Sequence, residues 1–347
     1  MANVNIRTPR FYCDSISYRR SRGVAVDTNY DVLAENSGSN LVGIKSGGGV
    51  EADLFDMRPS NLVTFNTKAS ATTRADHVII TLDLMGTNTN VCNFIAILNH
   101  NANSSNAKFR IASTDTESQI QSANMTSANT IQSTEILNGT VGGSSPFTIV
   151  PSADGSTILT FSEINDRFIG IQIEGQGSAF SSSNDFTVGC ILAGEFFDMP
   201  HSPDLNVNRL ITFDKVNVQE SVGGQRYSNM ASFGKSAASQ NKSPFVTTTS
   251  PQQVFGGRMS YDMNFSFLQS SDVMPNDYST HNPTDDSTVE DVWNKVNGPH
   301  IPFIFTTDGT STSESDYLFA RFAQDSLDMQ QVAPDVFNLS MSIAEEF

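Results

Sequence analysis

The residue types that most often carry catalysis or bind metals are few and scattered in this sequence. The five histidines are His77, His100, His201, His281 and His300. No two of them have the spacing of metal ligands on one helix, and the three cysteines (Cys13, Cys92 and Cys190) fit no zinc pattern. The G-x-S-x-G, H-E-x-x-H, C-x-x-C and phosphate-loop motifs are absent from the sequence. We therefore predict a protein that is not an enzyme, with no catalytic, cofactor-binding or metal-binding residues and no cofactor.

Carboxylates are plentiful, and one group of them is concentrated before and within a helical pattern. This group consists of Asp272, Asp277, Asp285, Asp286, Glu290 and Asp291. Calcium prefers such oxygens, but the D-x-[DN]-x-[DN]-G order of a calcium loop is absent, so a solvated acidic loop is the favoured interpretation. A glycosidase needs two carboxylates at a fixed separation across a cleft. The sequence pairs no two of them in this way.

The chain has the composition of an acidic β-protein. Its 347 residues are 38% hydrophobic and only 16% charged, so Ser, Thr, Asn and Gln must supply much of the polar surface. The formal charge of −17 argues against nucleic-acid binding and against an anionic membrane surface. We find neither a secretory signal nor an apolar stretch long enough to span a membrane. We expect no nucleic-acid partner and no membrane insertion.

The segment from about 60 to 200 has the alternating pattern of antiparallel strands. Val78, Ile80, Leu82 and Leu84 alternate with more polar residues, which is typical of a strand with one buried face. Residues 91–98 are apolar on both faces and predict a central strand. The Asn99-His100-Asn101 sequence that follows favours a turn held by side-chain hydrogen bonds over a ligand site. The Ser/Thr/Asn-rich stretch 113–145 is either a surface insertion or a pair of weak strands.

The segment after Met199-Pro200 predicts a second β-rich unit. Apolar and polar residues alternate at 210–218 and at 259–267. The segment 259–267 contains five large apolar residues, and single polar residues separate them. Residues 303–305, 317–322 and 337–343 predict three more strands. One short helix is indicated near 289–296, with Ser287 as its N-cap and Trp293 on its apolar stripe, and Gly298 and Pro299 end it.

These patterns divide the chain into three parts. Residues 1–60 lack clear periodicity and contain a small basic cluster at 19–22, so they are interpreted either as an N-terminal arm or extension that orders against a neighbour or as a loop over the next domain. Residues 61–200 predict an antiparallel β-sandwich, and residues 201–347 a second β-rich domain with one short helix. The predicted fold class is all-β, with a sandwich of the jelly-roll type.

With the strands assigned, the chain resembles minor and distal tail (baseplate) structural proteins of tailed bacteriophages. Residues 94–101 are similar to the apolar strand and N-H-N segment of galactose-binding-like (discoidin-type) sandwiches. Residues 188–200 resemble the closing strand of that sandwich, and Ser221-Val-Gly-Gly-Gln225 resembles a turn of minor tail proteins. The third similar region is the C-terminal sheet, at 302–305 and 337–343. The resemblance covers about residues 60–347.

The resemblance implies a non-enzymatic virion structural protein, a distal tail or baseplate adaptor that assembles through subunit–subunit contacts. The partners it implies are other phage tail proteins and further copies of the chain in a homo-oligomeric ring. The implied localisation is the virion tail, assembled in the host cytoplasm. Two alternatives stay open: a host-surface carbohydrate-binding module with a host glycan as its ligand, or a capsid decoration protein. Fold alone does not choose between them.

Overall fold

The computed structural model describes residues 7–23, 30–33, 42–68, 77–84, 91–120, 125, 128–142, 147–213, 216–230, 243–245, 257–278 and 288–346. Within these ranges the chain is mostly antiparallel β-sheet with a few short helices. The all-β fold class predicted from the alternating patterns is therefore confirmed. Two large sheets account for most of the strands.

The larger sheet has eleven strands and runs through both halves of the chain. Its strands are β1 (Arg10–Asp14), β5 (Cys92–His100), β8 (Ser133–Leu137), β11 (Gly155–Ile164), β14 (Cys190–Asp198), β15 (Asn208–Thr212), β18 (Arg258–Gln269), β19 (Phe303–Thr306), β20 (Tyr317–Phe322), β21 (Asp328–Ala333) and β22 (Val336–Glu345). Their order is β15-β18-β22-β20-β19-β1-β14-β5-β11-β8, and β21 pairs with β22.

The second sheet has seven strands, all from the first half of the chain. They are β2 (Tyr30–Leu33), β4 (His77–Asp83), β6 (Ala107–Thr114), β7 (Asn129–Thr130), β9 (Thr140–Gly142), β10 (Thr148–Val150) and β12 (Phe168–Gly175). Their order is β2-β4-β12-β6-β10-β9, with β7 on β6. Two small sheets pair β3 (Val63–Thr64) with β13 (Thr187–Val188) and β16 (Val216–Glu220) with β17 (Arg226–Met230).

The helices are short and lie between strands. The α-helices are α1 (Ser15–Ser21), α2 (Glu117–Ile120), α3 (Ser270–Val273) and α4 (Val289–Lys295), and single 3₁₀ turns cover Glu51–Phe55, Gln176–Ser178 and Glu314–Asp316. The sequence predicted only α4. Its N-cap is Thr288, whose hydroxyl accepts from the Asp291 amide, and the predicted cap Ser287 lies outside the described residues. Gly298, at φ +63°, follows the helix end as predicted.

The sandwich core lies between the two large sheets. Ile95, Ile97 and Ile191 of the larger sheet pack in one buried cluster with Ile171 and Phe109 of the smaller sheet. The opposite face of β5 is buried in a separate cluster. Strand β5 is thus covered on both faces, as its apolar sequence predicted, because its side chains enter a cluster on each side of the sheet.

Strand β1 is the main departure from the prediction for residues 1–60. It lies in the middle of the larger sheet, paired with β14 on one side and with β19 on the other. Its alternate residues enter two cores, since Phe11 and Cys13 pack in one cluster and Tyr12 in another. Residues 10–14 are therefore part of the sheet, and the interpretation of residues 1–60 as an N-terminal arm or extension stays a prediction. One sheet also crosses position 200, and the division into two domains there stays a prediction.

Other polar or aperiodic stretches also belong to the sheets. The stretch 113–145 contains α2 and three short strands, of which β8 ends the larger sheet and β9 ends the smaller one. Of the two interpretations of the stretch 113–145, the one that predicted weak strands is correct for these parts. In β18, Tyr261, Met263 and Phe265 are buried as predicted, but a bulge before Leu268 leaves Phe267 exposed at φ +66°.

The region around β15, β16 and β17 is unusually exposed for its composition. We call residues 208–213 and 216–230 the hairpin region. Every residue of β15 and β16 is solvent-exposed. The exposed apolar side chains of the hairpin region are Leu210, Ile211, Phe213, Val216, Val218, Val222 and Tyr227. The predicted turn at 221–225 joins β16 to β17 through a hydrogen bond from the Ser221 amide to the Gln225 carbonyl (2.9 Å).

Candidate functional site

The best candidate site is a cleft on one face of the larger sheet, at the junction of the two halves of the chain. We call it the hydroxyl cleft. It has a volume of about 340 Å³ and is lined by Tyr12, Thr134, Glu135, Ile136, Leu137, Ile158, Thr160, Thr310, Ser311, Thr312 and Tyr317. These residues come from β1, β8, β11 and β20 and from the loop before β20. The cleft therefore exists only where β1 joins the sandwich to the C-terminal strands.

Two tyrosines form the aromatic part of the cleft wall. The rings of Tyr12 and Tyr317 lie 6.3 Å apart, and Tyr317 donates a hydrogen bond to the Ser311 carbonyl (2.8 Å). Burial raises the pKa of the Tyr12 phenol, an effect that Arg10 partly offsets, and burial also raises the pKa of Tyr317. Both phenols therefore stay protonated at neutral pH and act as hydroxyl groups.

Among the described residues, Glu135 is the one carboxylate that lines this cleft, and an arginine orients it. Arg10 donates to one oxygen of Glu135 (3.0 Å) and makes a two-point contact with Asp198 (2.7 and 3.0 Å). The guanidinium lies 4.1 Å from the ring centre of Phe196. Burial opposes the charge of Arg10, but its hydrogen bond with Asp198 raises the arginine pKa above its ordinary value. Arg10 is therefore a fixed cation that holds the Glu135 carboxylate in place through this hydrogen bond.

The polar part of the lining consists mainly of hydroxyl groups. Thr134, Thr160, Thr310, Ser311 and Thr312 all contribute to the wall. A hydroxyl group both donates and accepts a hydrogen bond, and the carboxylate of Glu135 accepts several. The side chain of Glu135 is 52% exposed, so its remaining lone pairs face solvent in the cleft. The arrangement suits a ligand that presents many hydroxyl groups of its own.

A smaller cleft of about 270 Å³ lies on the other side of Arg10. Its carboxylates, Asp198 and Asp308, are both engaged by arginines: Asp198 by Arg10, and Asp308 by Arg7 at 3.5 Å. These ion pairs connect β1 to β14, and the segment before β1 to the loop after β19, which is a structural role.

The Asn99-His100-Asn101 segment, which was also considered for chemistry, does not line the hydroxyl cleft. His100 is buried, contacts the hydroxyl of Thr157 (2.8 Å) and accepts from the Ala102 amide (3.2 Å). Burial lowers the pKa of His100 to about 4, so the ring is neutral at pH 7. Asn101 bonds the Asp185 carbonyl through its amide. The turn interpretation of the Asn-His-Asn sequence is confirmed.

The acidic group before α4 does not form a metal site in the part of the chain that the structure describes. Asp272 accepts from the Gln269 amide, Glu290 accepts from the Tyr278 hydroxyl (2.6 Å), and Asp291 contacts Thr288. Asp285 and Asp286 lie outside the described residues. Among the described residues, no three His, Cys, Asp or Glu side chains come together as metal ligands would.

The hydroxyl cleft is a site that the sequence did not predict. Its principal members, Tyr12, Glu135 and Tyr317, are separated by more than a hundred residues each, so no local motif marks them. The one available signal was the basic residue before an aromatic pair in Arg10-Phe11-Tyr12.

Within the described residues, none of the helices has the length and apolar character needed to cross a membrane.

Comparison with known proteins gives structural similarity but no family. No protein-family model matches the chain, and no curated protein matches it. The similar solved structures include chitosan-binding module 1 from a Paenibacillus sp. IK-5 chitosanase/glucanase, which is 12% identical, covers 48% of this chain and 93% of its own, and has a TM-score of 0.30. A pectin-binding carbohydrate-binding module is 15% identical and covers 50% and 90%, with a TM-score of 0.29.

A third similar structure is the CBM32 module of AlyQ in complex with 4,5-unsaturated mannuronic acid. It is 18% identical to this chain, covers 48% of it and 96% of its own length, and has a TM-score of 0.26. All three are carbohydrate-binding modules, and none of them is a phage tail protein. The TM-scores are low, so this similarity carries no argument about the ligand of this chain.

Proposed function

We propose that this chain is a non-catalytic carbohydrate-binding protein and that the hydroxyl cleft holds the glycan. The observation that supports this proposal is the composition of the cleft wall. Five Ser and Thr residues and two tyrosines surround one carboxylate that a buried arginine holds in position. This proposal takes up the alternative of a host-surface glycan ligand that the sequence left open.

The chemistry of the wall matches that of a sugar. The hydroxyl groups of a sugar act as donors and acceptors in several directions, and a carboxylate paired with an arginine accepts two of them in a fixed geometry. Sugars also present C–H faces, which pack on apolar surfaces such as Ile136 and Ile158 in this wall. The volume of about 340 Å³ lies at the lower end of the range for small-molecule sites, so a short glycan segment fits it.

Recognition rather than hydrolysis is proposed because the cleft has a single carboxylate in its lining. Glycoside hydrolysis ordinarily needs two carboxyl groups on opposite sides of the bond, one of which must be protonated. Glu135 lies 3.0 Å from the guanidinium of Arg10 and accepts its hydrogen bond. Neutral and amine-bearing sugars both fit a carboxylate at this position, and binding measurements distinguish them.

The test is glycan binding by the full chain and by two variants. A glycan array identifies the ligand, and calorimetry then measures its affinity. Glu135→Gln should weaken binding about tenfold or more, because a hydrogen bond to a charged group contributes about 1.5–3 kcal/mol. Glu163→Gln is the matched control, since Glu163 is an exposed carboxylate on β11 outside the cleft wall. Equal loss in both variants, or a full chain that binds no glycan, would contradict the proposal.

A second candidate function is that of an assembly component, as expected of a distal tail or baseplate adaptor. The observation that favours it is the hairpin region, whose apolar side chains are exposed. Exposed apolar surface of this kind is typical of protein–protein contact sites. Electron microscopy of the purified full chain tests this candidate: rings support it, and isolated particles at high concentration argue against it. The tail-specific part of the expectation, including a virion location, stays a proposal.

A further inference from the structure

The hairpin region combines an isolated two-stranded sheet with an unpaired edge strand, and both features are unusual in a protein that stays monomeric. Strands β16 and β17 form a two-stranded sheet of their own, and β15 is the last strand at one end of the larger sheet. An isolated two-stranded hairpin is marginally stable in water. An unpaired edge strand also offers its backbone to other strands, and proteins ordinarily shorten, charge or cover such edges.

The faces of the hairpin region show how it departs from an ordinary solvent-facing sheet. Val216 and Val218 lie on one face of β16, with the Glu220–Arg226 ion pair (3.1 Å) at the end near the turn. On the opposite face, Tyr227 pairs in register with Gln219. Val218 is 56% exposed and Tyr227 is 58% exposed, so the residues that the structure describes cover neither face. Both faces of this hairpin are therefore available for contact.

The segment that contains the hairpin region, residues 208–230, differs in charge from the rest of the chain. Residues 208–230 contain three basic and two acidic residues, a formal charge of +1, so the remaining residues carry −18. The segment is thus apolar and slightly basic, while the remainder of the molecule is strongly acidic. At physiological ionic strength, charges more than about 8 Å apart are largely screened. The overall repulsion between two acidic bodies is therefore weakened, while charges that meet at a contact still interact.

We propose that the hairpin region docks on the acidic surface of a second copy of this chain. The occupant follows from the charge difference, because the chain itself supplies the acidic surface that a basic, apolar hairpin fits. Docking would cover the exposed side chains of β16 and β17 and give the marginally stable hairpin a surface to pack against. Since the hairpin and the acidic surface are different parts of the same molecule, the contact is head-to-tail and can repeat from copy to copy.

The experiment is light scattering coupled to size-exclusion chromatography on the full chain over a range of micromolar concentrations. The wild-type chain is expected to form oligomers. Val218→Lys places a charge in the contact and should raise the dissociation constant about a hundredfold. Val332→Lys is the matched control and should leave assembly unchanged, because Val332 is an exposed valine (46%) on β21, outside the hairpin region. A monomeric wild-type chain, or a Val218→Lys variant that assembles normally, overturns the proposal.

Two further measurements separate the charge component from a loss of folding. Arg226→Glu changes the charge of the segment from +1 to −1 and should weaken assembly about tenfold, whereas the exchange Glu220→Arg/Arg226→Glu keeps the charge and should restore it. Hydrogen exchange on the wild-type chain needs no variant. The amides of β16 and β17 should exchange more slowly at high protein concentration than at low concentration, and equal rates at both overturn the proposal.

Discussion

A buried ion pair connects the C-terminal half of the chain to the sandwich, and breaking it should destabilise the whole protein. Lys295 of α4 and Glu195 of β14 lie 3.3 Å apart (Nζ to Oε2), and their side chains are only 3% and 8% exposed. Lys295→Met removes the cation and leaves the carboxylate buried. Removal of one partner of such a pair costs about 3–5 kcal/mol. That is a large fraction of the roughly 5–15 kcal/mol that stabilises a typical domain.

The double variant Glu195→Gln/Lys295→Met should recover most of the loss. Replacing both members of a buried pair by neutral side chains of similar size is often close to neutral, because the cost of desolvating two charges disappears with them. Glu220→Gln is the control in an exposed pair, where Glu220 and Arg226 are 54% and 76% exposed. Exposed pairs contribute at most about 1 kcal/mol, so this variant should stay close to wild type.

Urea unfolding, followed by circular dichroism and by the fluorescence of Trp293, measures these differences. Trp293 lies on α4 and packs on Phe322 (5.0 Å between ring centres), so its emission reports the C-terminal half, while circular dichroism reports all strands. Since one sheet crosses both halves, the two signals should change together. A loss below about 0.5 kcal/mol in Lys295→Met, or an equal loss in the exposed-pair control, would refute the reasoning.

Two further predictions concern the interior of the sandwich and the position of β1. Because burial lowers the pKa of His100 to about 4 from the 6.5 expected when unfolded, the unfolded chain binds the proton more tightly, and stability should fall as the pH drops. The loss should be roughly 2 kcal/mol between pH 7.5 and pH 5, absent in His100→Gln, and measurable by urea unfolding at each pH; equal pH dependence in both proteins would contradict it. Gly194→Ala should unfold the chain or lower its melting temperature by many degrees, because the new Cβ would lie 2.2 Å from the Cys13 carbonyl oxygen, whereas Gly142→Ala meets nothing closer than 3.4 Å and should melt near wild type.

Strand β22 is one that the sequence predicted from an apolar pattern that repeats with period two. In β22, Leu339, Met341 and Ile343 are buried on one face as the alternation indicated. In β18 the alternation also predicted burial of Phe267, which is 78% exposed. The bulge between Phe265 and Leu268 adds a residue that shifts the side chains to the other face. A bulge depends on the partner strand, so the pattern of one strand does not reveal it.

Strand β1 and the hydroxyl cleft were beyond sequence reasoning for a different reason. Strand β1 has only five residues, which are too few to show a period. They form a strand because they pair with β14 and β19, which lie far away in sequence. Local propensity carries no information about such pairings. The cleft inherits this problem, because its residues approach each other only after those strands pair.

The position of β1 also decides which part of the chain a binding experiment must contain. Tyr12 and Tyr317 come from strands outside residues 61–200, and Glu135 from a strand inside them. Arg10, which orients Glu135, is likewise part of β1. A fragment of residues 61–200 would keep the carboxylate but lose the arginine and both tyrosines. The complete cleft, and with it the proposed glycan site, is therefore a property of the continuous eleven-stranded sheet rather than of the sandwich alone.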